Sequence, residues 1–311
     1  MNQRPKVSVR KVREYTGHKG SIYAMAIDAA ERYLYTSGDD GLVVRWDLQQ
    51  TEDSGDGILR IGTAIFSLEV IEKFNLLVVG ASDGTVYFVD LKGGGIKHTY
   101  RKTELRVFDL WYDPEFDYVW LLQGNGWMGV IDLATFKEVG YQQIGTENLR
   151  KIIAAPIAGC VLISSTDGYI HLLEKKSGKV MQKWQAHEKW IFAMHLIPDT
   201  DYLLSGGYDA HLNLWEWKGK YLPVQKVAAH NFTINDIALS PTHEMIVTAS
   251  RDKTIKLWSA DNLQLLKVVD AARHEGHKHS VNKIKWLKSD NSVISGSDDK
   301  RIIRWQFSID P

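Results

Sequence analysis

Four histidine–aspartate pairs are the residues best equipped for chemistry: His18 with Asp40, His187 with Asp209, His230 with Asp252, and His277 with Asp299, each 22 residues apart. A hydroxyl residue lies four positions before each aspartate, at Thr36, Ser205, Thr248 and Ser295. Aspartate, histidine and serine are the parts of a nucleophilic triad, and imidazole is also a good ligand for transition metals. A catalytic or metal centre is needed once, whereas this arrangement recurs four times with unchanged spacing. Repetition favours a structural device, so no catalytic residue, metal or cofactor is assigned. His274, His277 and His279 crowd into ARHEGHKHS, but His277 already belongs to a pair and the stretch reads as a solvated loop. The remaining acid–base candidates are His98, Glu104, Asp109 and Glu147, and nothing in the sequence brings them together. GDGIL, GGG and GHKG lack the lysine and the strand–loop–helix context of a phosphate loop.

Composition narrows the classes. The 311 residues carry 38 basic and 38 acidic side chains and are 44% hydrophobic, which indicates neither a disordered polyelectrolyte nor a general nucleic-acid binder. The local basic run Lys97, His98, Arg101, Lys102 and Arg106 reads as an outer strand and turn rather than a phosphate footprint. One cysteine, Cys160, excludes an intrachain disulfide and fits a reducing compartment, so a cytoplasmic location is expected. The charged start MNQRPKVSVRKVREY lacks the apolar run of a secretory signal, and no apolar stretch is long enough to insert in a membrane.

The elements that must position the histidines and aspartates are hairpins. YLYTSGDDGLVVRW, YLLSGGYDAHLNLW, MIVTASRDKTIKLW and SVISGSDDKRIIRW each place a β-rich run, a tight turn with aspartate, and a second β-rich run ending in tryptophan. LLVVGASDGTVYFV, VWLLQGNGWMGVI and VLISSTDGYIHLL repeat the phrase more weakly. The seven phrases end at 46, 89, 131, 173, 215, 258 and 305, intervals of 43, 42, 42, 42, 43 and 47 residues.

Seven repeats of this length, four ending in Arg-Trp or Leu-Trp, resemble the WD40-repeat family, in which each repeat forms one four-stranded blade. The resemblance covers essentially the whole chain. It implies an all-β, seven-bladed propeller with four antiparallel strands per blade, a single domain over residues 1–311. It also implies a hydrogen-bonded tetrad in four repeats: His18, Thr36, Asp40, Trp46; His187, Ser205, Asp209, Trp215; His230, Thr248, Asp252, Trp258; and His277, Ser295, Asp299, Trp305. In each, the aspartate can accept from the imidazole, whose other nitrogen meets the hydroxyl, which accepts from the indole N–H. The second to fourth repeats depart from the pattern, keeping only Asp83 and Asp167, with Asn125 at the third turn. Those blades are expected to lean on apolar packing and backbone pairing. Only QFSIDP follows Trp305, so residues 7–15 are expected to supply the outer strand of the last blade and close the ring.

Propellers of this kind often bind peptides or protein surfaces beside the loops that precede the inner strands. Strand alternation from Ile22, Ile191, Ile234 and Val281 sends the neighbouring positions toward the channel mouth. The following position is Tyr23, Phe66, Phe108, Arg150, Phe192, Asn235 and Asn282 in the seven repeats; the preceding one is Ser21, Ala64, Arg106, Asn148, Trp190, Thr233 and Ser280. Before the turn aspartate stand Asp39, Ser82, Gly124, Thr166, Tyr208, Arg251 and Asp298. Tyrosine, tryptophan and arginine are enriched in interaction hot spots. The binding candidates are therefore Tyr23, Phe66, Arg106, Phe108, Arg150, Trp190, Phe192, Tyr208 and Arg251, the arginines favouring an acidic partner. The expected function is a noncatalytic scaffold or adaptor, monomeric by itself, that binds a peptide or protein loop there. An enzyme or small-ligand propeller is the alternative, with nucleic-acid or phospholipid binding behind it.

Overall fold

The computed structural model describes residues 6–50 and 54–310. Among the described residues twenty-eight strands form seven antiparallel sheets of four, arranged as the blades of a closed propeller. The inner strands are Ile22–Ile27, Ile65–Ile71, Val107–Asp113, Leu149–Ala154, Ile191–Leu196, Ile234–Leu239 and Val281–Trp286. In blades one to six the order from the channel outward follows the sequence. Blade seven is completed from the other terminus: Lys6–Tyr15 pairs antiparallel with Ile302–Asp310, from Lys6 opposite Asp310 to Tyr15 opposite Ile302.

The turn between the second and third strands shares one feature in every blade, although in blade three Asn125 itself also has positive φ. The residue after the turn aspartate, or Asn125, has positive φ in every blade: Gly41, Gly84, Gly126 and Gly168, then Ala210, Lys253 and Lys300. Glycine fills the tight cases; a Cβ on Gly84 would lie 2.1 Å from the Thr103 carbonyl oxygen.

Apolar residues fill seven clusters, one between each adjacent pair of blades. The cluster joining the last blade to the first contains Tyr15, Ile22, Leu34, Trp46, Ile294 and Ile302, so closure is sealed by packing as well as by backbone pairing. Polar links add to it: Glu31 accepts the Lys288 and Ser289 N–H groups at 2.8 and 2.7 Å, and Arg301 donates to Glu14 at 3.1 Å.

The solvated loop expected at ARHEGHKHS begins only after His274, and the segment ahead of it is structured. It holds an outer strand, Leu265–Val269, and a one-turn helix, Ala271–His274, whose first turn is capped by Asp270 accepting from the Arg273 N–H at 2.8 Å. The basic run 97–106 is indeed outer strand (Ile96–Tyr100) and turn, and it is partly neutralised, Arg101 pairing with Glu104 at 3.1 Å and Lys102 with Glu138 at 2.6 Å.

Candidate functional site

Every inner strand slips register once, directly after its first residue. The residue left without a partner is Tyr23, Phe66, Phe108, Arg150, Phe192, Asn235 or Asn282. A β-bulge re-aims the side chain it carries, and seven bulges at one height make a ring. A second regularity ties the turns to it. The N–H groups of Asp39, Ser82, Gly124, Thr166, Tyr208, Arg251 and Asp298 donate to the carbonyls of Ser21, Ala64, Arg106, Asn148, Trp190, Thr233 and Ser280, at 2.8 to 3.2 Å. Each blade thus brings three residues to the same end of the channel.

On one arc of this mouth the rings touch in series. Tyr23 stacks on Phe66 at 5.3 Å between centroids, and Phe66 meets Phe108 at 5.9 Å. The Arg150 guanidinium lies 4.2 Å from the Phe108 centroid and 4.6 Å from that of Phe192. Trp190 stands edge-on to Phe192 at 6.1 Å and to Tyr208 at 5.4 Å. Trp190 and Tyr208 are each 45% exposed. Arg106, exposed, sits 6.0 Å over Phe66.

Arg150 Nε is buried without a hydrogen-bond partner. Burial pulls the pKa of this guanidinium down to about 10, against the pull of Asp109, and Arg106 adds to the fall. Among the described residues neither Arg106 nor Arg150 makes an ion pair. Arg251 is exposed and its backbone joins the turn, but it packs on no ring of the arc. Phe232, 59% exposed in the loop before blade six, is a further aromatic that the positional offsets passed over, because it lies only two residues after His230.

The opposite arc is satisfied internally. Asn235 Nδ2 donates to the Val281 carbonyl at 2.9 Å and to Ser280 Oγ at 3.0 Å; Asn282 Nδ2 donates to the Ile22 carbonyl at 3.0 Å and to Asp298 at 2.7 Å. One half of the mouth presents ring faces and free guanidinium donors, the other a sewn amide belt.

All four His/Asp pairs lie within closed tetrads. His18 Nδ1 donates to Asp40 at 3.0 Å, its Nε2 meets Thr36 Oγ1 at 2.9 Å, and Trp46 Nε1 donates to the same oxygen at 2.7 Å. The same chain runs through His187, Asp209, Ser205 and Trp215 at 2.8, 2.8 and 2.9 Å. It recurs through His230, Asp252, Thr248 and Trp258 at 2.9, 2.7 and 2.9 Å, and through His277, Asp299, Ser295 and Trp305 at 3.1, 2.8 and 2.8 Å. Burial holds the His18 and His230 pKa values below the ordinary range. For Asp252 and Asp299 burial pushes upward, yet the hydrogen bonds each accepts, first from the histidine and then from Thr254 and the Asn231 N–H or from the Lys278 N–H and Arg301, leave both carboxyls far below the usual range. Each tetrad spends its imidazole and indole donors inside the blade, and Asp299, which also lines an open cavity beside Glu14 and Arg301, is already engaged by His277 and Arg301.

Blades two to four replace the tetrad with other polar links, so apolar packing is only part of their compensation. Thr63 and Ser82 share a hydroxyl contact in blade two. In blade three the buried Gln123 donates to the Leu105 carbonyl at 3.0 Å and accepts from the Tyr141 hydroxyl at 2.9 Å. In blade four Ser165 joins Asp167 and lies 3.4 Å from His171, whose pKa burial lowers to about 4, with Lys183 adding.

The bulges also set the channel wall. Residues three apart enter the same interblade core in every blade: Ile22 with Met25, Ile65 with Leu68, Val107 with Leu110, Leu149 with Ile152, Ile191 with Met194, Ile234 with Ile237, Val281 with Ile284. Strict alternation would forbid that spacing. The charges between and beyond these core residues, Glu69, Asp109, Lys151, Asp236, Lys283 and Lys285, therefore line the channel around a small cavity of about 50 Å³. Alternation alone hides them; apolar residues recurring at a spacing of three in all seven inner strands were the available signal.

The four acid–base candidates are not brought together. His98 stacks on Phe136 at 4.9 Å on an outer strand, Glu104 pairs with Arg101 in an exposed turn, Asp109 bonds Lys151 at 3.1 Å inside the channel, and Glu147 accepts from Thr166 at 3.4 Å near the mouth. Among the described residues no group of three or more metal-ligating side chains converges.

The family model for the WD domain, G-beta repeat, matches residues 9–47, 178–216, 222–259 and 270–306, the four stretches that carry the tetrads. The 66 kDa stress protein of Physarum polycephalum is 21% identical over 97% of this chain and 48% of its own length. WD repeat-containing protein 1 of Gallus gallus is 22% identical over 96% and 48%, and human striatin 20% over 81% and 35%. The chain thus spans about half or less of these relatives. Among solved structures, the WD40 β-propeller domain of Doa1 superposes with a TM-score of 0.82 at 19% identity, covering 96% of this chain and 97% of that one. The matched repeats, the tetrads they contain and the closed ring of seven four-stranded blades together place this chain in the WD40-repeat β-propeller family.

Proposed function

We propose that the chain is a noncatalytic interaction scaffold that grips a peptide or protein loop on the aromatic arc of the channel mouth. The observation that carries this reading is the arc itself: six rings in two contiguous runs, bridged by Arg150, with Trp190 and Tyr208 exposed and two guanidinium groups lacking carboxylate partners among the described residues. Stacked rings and a closed backbone leave little freedom to lose on binding. The guanidinium donors select a partner with an acidic side chain or a terminal carboxylate. Tetrads consumed by structure, and acid–base residues scattered over wall, channel and turn, supply no reaction centre to compete with it.

Affinity capture from the native cell tests the reading. The wild-type chain and a Phe66→Ala, Phe108→Ala, Trp190→Ala variant with a preserved melting transition are compared by mass spectrometry. A partner retained by wild type and lost by the variant is expected; equal recovery removes the arc from the interface.

A further inference from the structure

The opposite end of the channel has its own chemistry. There the inner strands of blades four to seven and the loops that follow them enclose a cavity of about 540 Å³, within the range of small-molecule sites. Met194, Pro198 and Trp286 give it apolar walls, and Lys151, His195, Asp236 and Lys285 line it with polar groups. The Trp286 indole N–H is already donated to Asn291 Oδ1 at 2.7 Å, so its ring has only apolar surface to offer.

The polar groups are not equally engaged. Lys151 is held by Asp109 at 3.1 Å. Asp236 accepts the Ile237 N–H at 3.1 Å and the Ile284 N–H at 3.0 Å, one on each oxygen. His195 donates from Nδ1 to the Leu196 carbonyl at 2.7 Å, and burial lowers its pKa, so it sits neutral in the wall. Neither Lys285 nor Lys288 has a carboxylate or carbonyl partner for its ammonium among the described residues, and Lys285 is the one beside Trp286 on the inner strand. Lys288 at the rim and Lys283 farther inside add positive charge, while burial raises Glu69 to about 7 and weakens the negative side of the balance.

We propose that this cavity is a second binding site, which takes a monocarboxylate carried on an apolar body, the carboxylate on Lys285 and the body against Trp286 and Met194. The Lys285 ammonium meets the carboxylate, and the apolar walls of Met194, Pro198 and Trp286 suit the body better than a second anionic group. The site lies on the face away from the aromatic arc and does not depend on it.

The test uses the full chain labelled with ¹⁵N. Its 11 tryptophans give a short list of indole N–H signals, and W286F identifies the one that reports on the cavity. Phenylacetate and N-acetyl-Gly-Gly-Phe, titrated separately, present the same head and body as a free acid and as a chain terminus. Movement of the Trp286 signal by phenylacetate assigns a small organic acid, and movement by the peptide alone assigns a protein C-terminus. K285A is expected to weaken the effective probe at least tenfold while the other indole signals keep their positions. Calorimetric titration of wild type and K285A reads the same difference without W286F. Equal binding of phenylacetamide, no binding of either carboxylate, or unchanged affinity in K285A would overturn the proposal.

Discussion

At the scale of single residues, the tetrad hydroxyl carries the largest expected stability effect. Thr248 Oγ1 joins His230 Nε2 at 2.7 Å to Trp258 Nε1 at 2.9 Å, in a side chain with no exposure. Thr248→Val keeps the shape and leaves both ring nitrogens buried without partners, at about 1–3 kcal/mol each. Urea unfolding should show a loss of about 2–5 kcal/mol, and a change below about 0.5 kcal/mol would show that the network contributes little. These residues were legible in advance because the tetrad is a fixed spacing that recurs. Gln123 and His171 were not legible, since each compensates for a missing tetrad with a different partner and repeats nowhere. At the mouth, Arg106→Ala removes an exposed guanidinium that the fold does not use. It should leave the melting temperature unchanged while weakening an acidic partner roughly tenfold or more in a binding titration.

At the scale of elements, closure is the critical feature. Ser8 and Ser308 are directly opposed in the pairing of Lys6–Tyr15 with Ile302–Asp310. Opposed residues of antiparallel strands lie about 4.5–5.5 Å apart, within disulfide range. Oxidised Ser8→Cys/Ser308→Cys should therefore be more stable by about 2–4 kcal/mol and return to the wild-type transition on reduction. Failure to cross-link would contradict the register. Deleting residues 6–15 should lower the melting temperature sharply, because it strips a strand from blade seven and Tyr15 from the closing core. That strand was legible by elimination, from the six residues left after Trp305. The one-turn helix at Ala271–His274 was not, because four residues are too few to carry a helical period. The charged channel wall was missed for a different reason: a bulge changes the parity of every later position in its strand.

At the scale of the whole molecule, acid should weaken the ring in two stages. The His18, His171 and His230 pKa values are lowered on folding, so the unfolded chain takes up protons first as pH falls below about 6.5. Asp40, Asp209, Asp252 and Asp299 are lowered too, so their contribution is present above about pH 4 and is lost as pH falls further. Melts at pH 7.5, 5.5 and 3.5 should give steadily falling midpoints, by roughly 5–10 °C at the first step; a flat profile would contradict the buried neutral imidazoles. The seven bulges have a consequence for how such a ring can change. Each places one side chain at the mouth outside the pairing ladder of its own sheet, so on the aromatic arc a substitution leaves the strand register untouched, whereas at Asn235 and Asn282 it also cuts a link to the next blade. Specificity becomes a matter of which side chains the arc carries, and a duplicated copy of the gene can acquire a new partner by changing them without refounding the fold.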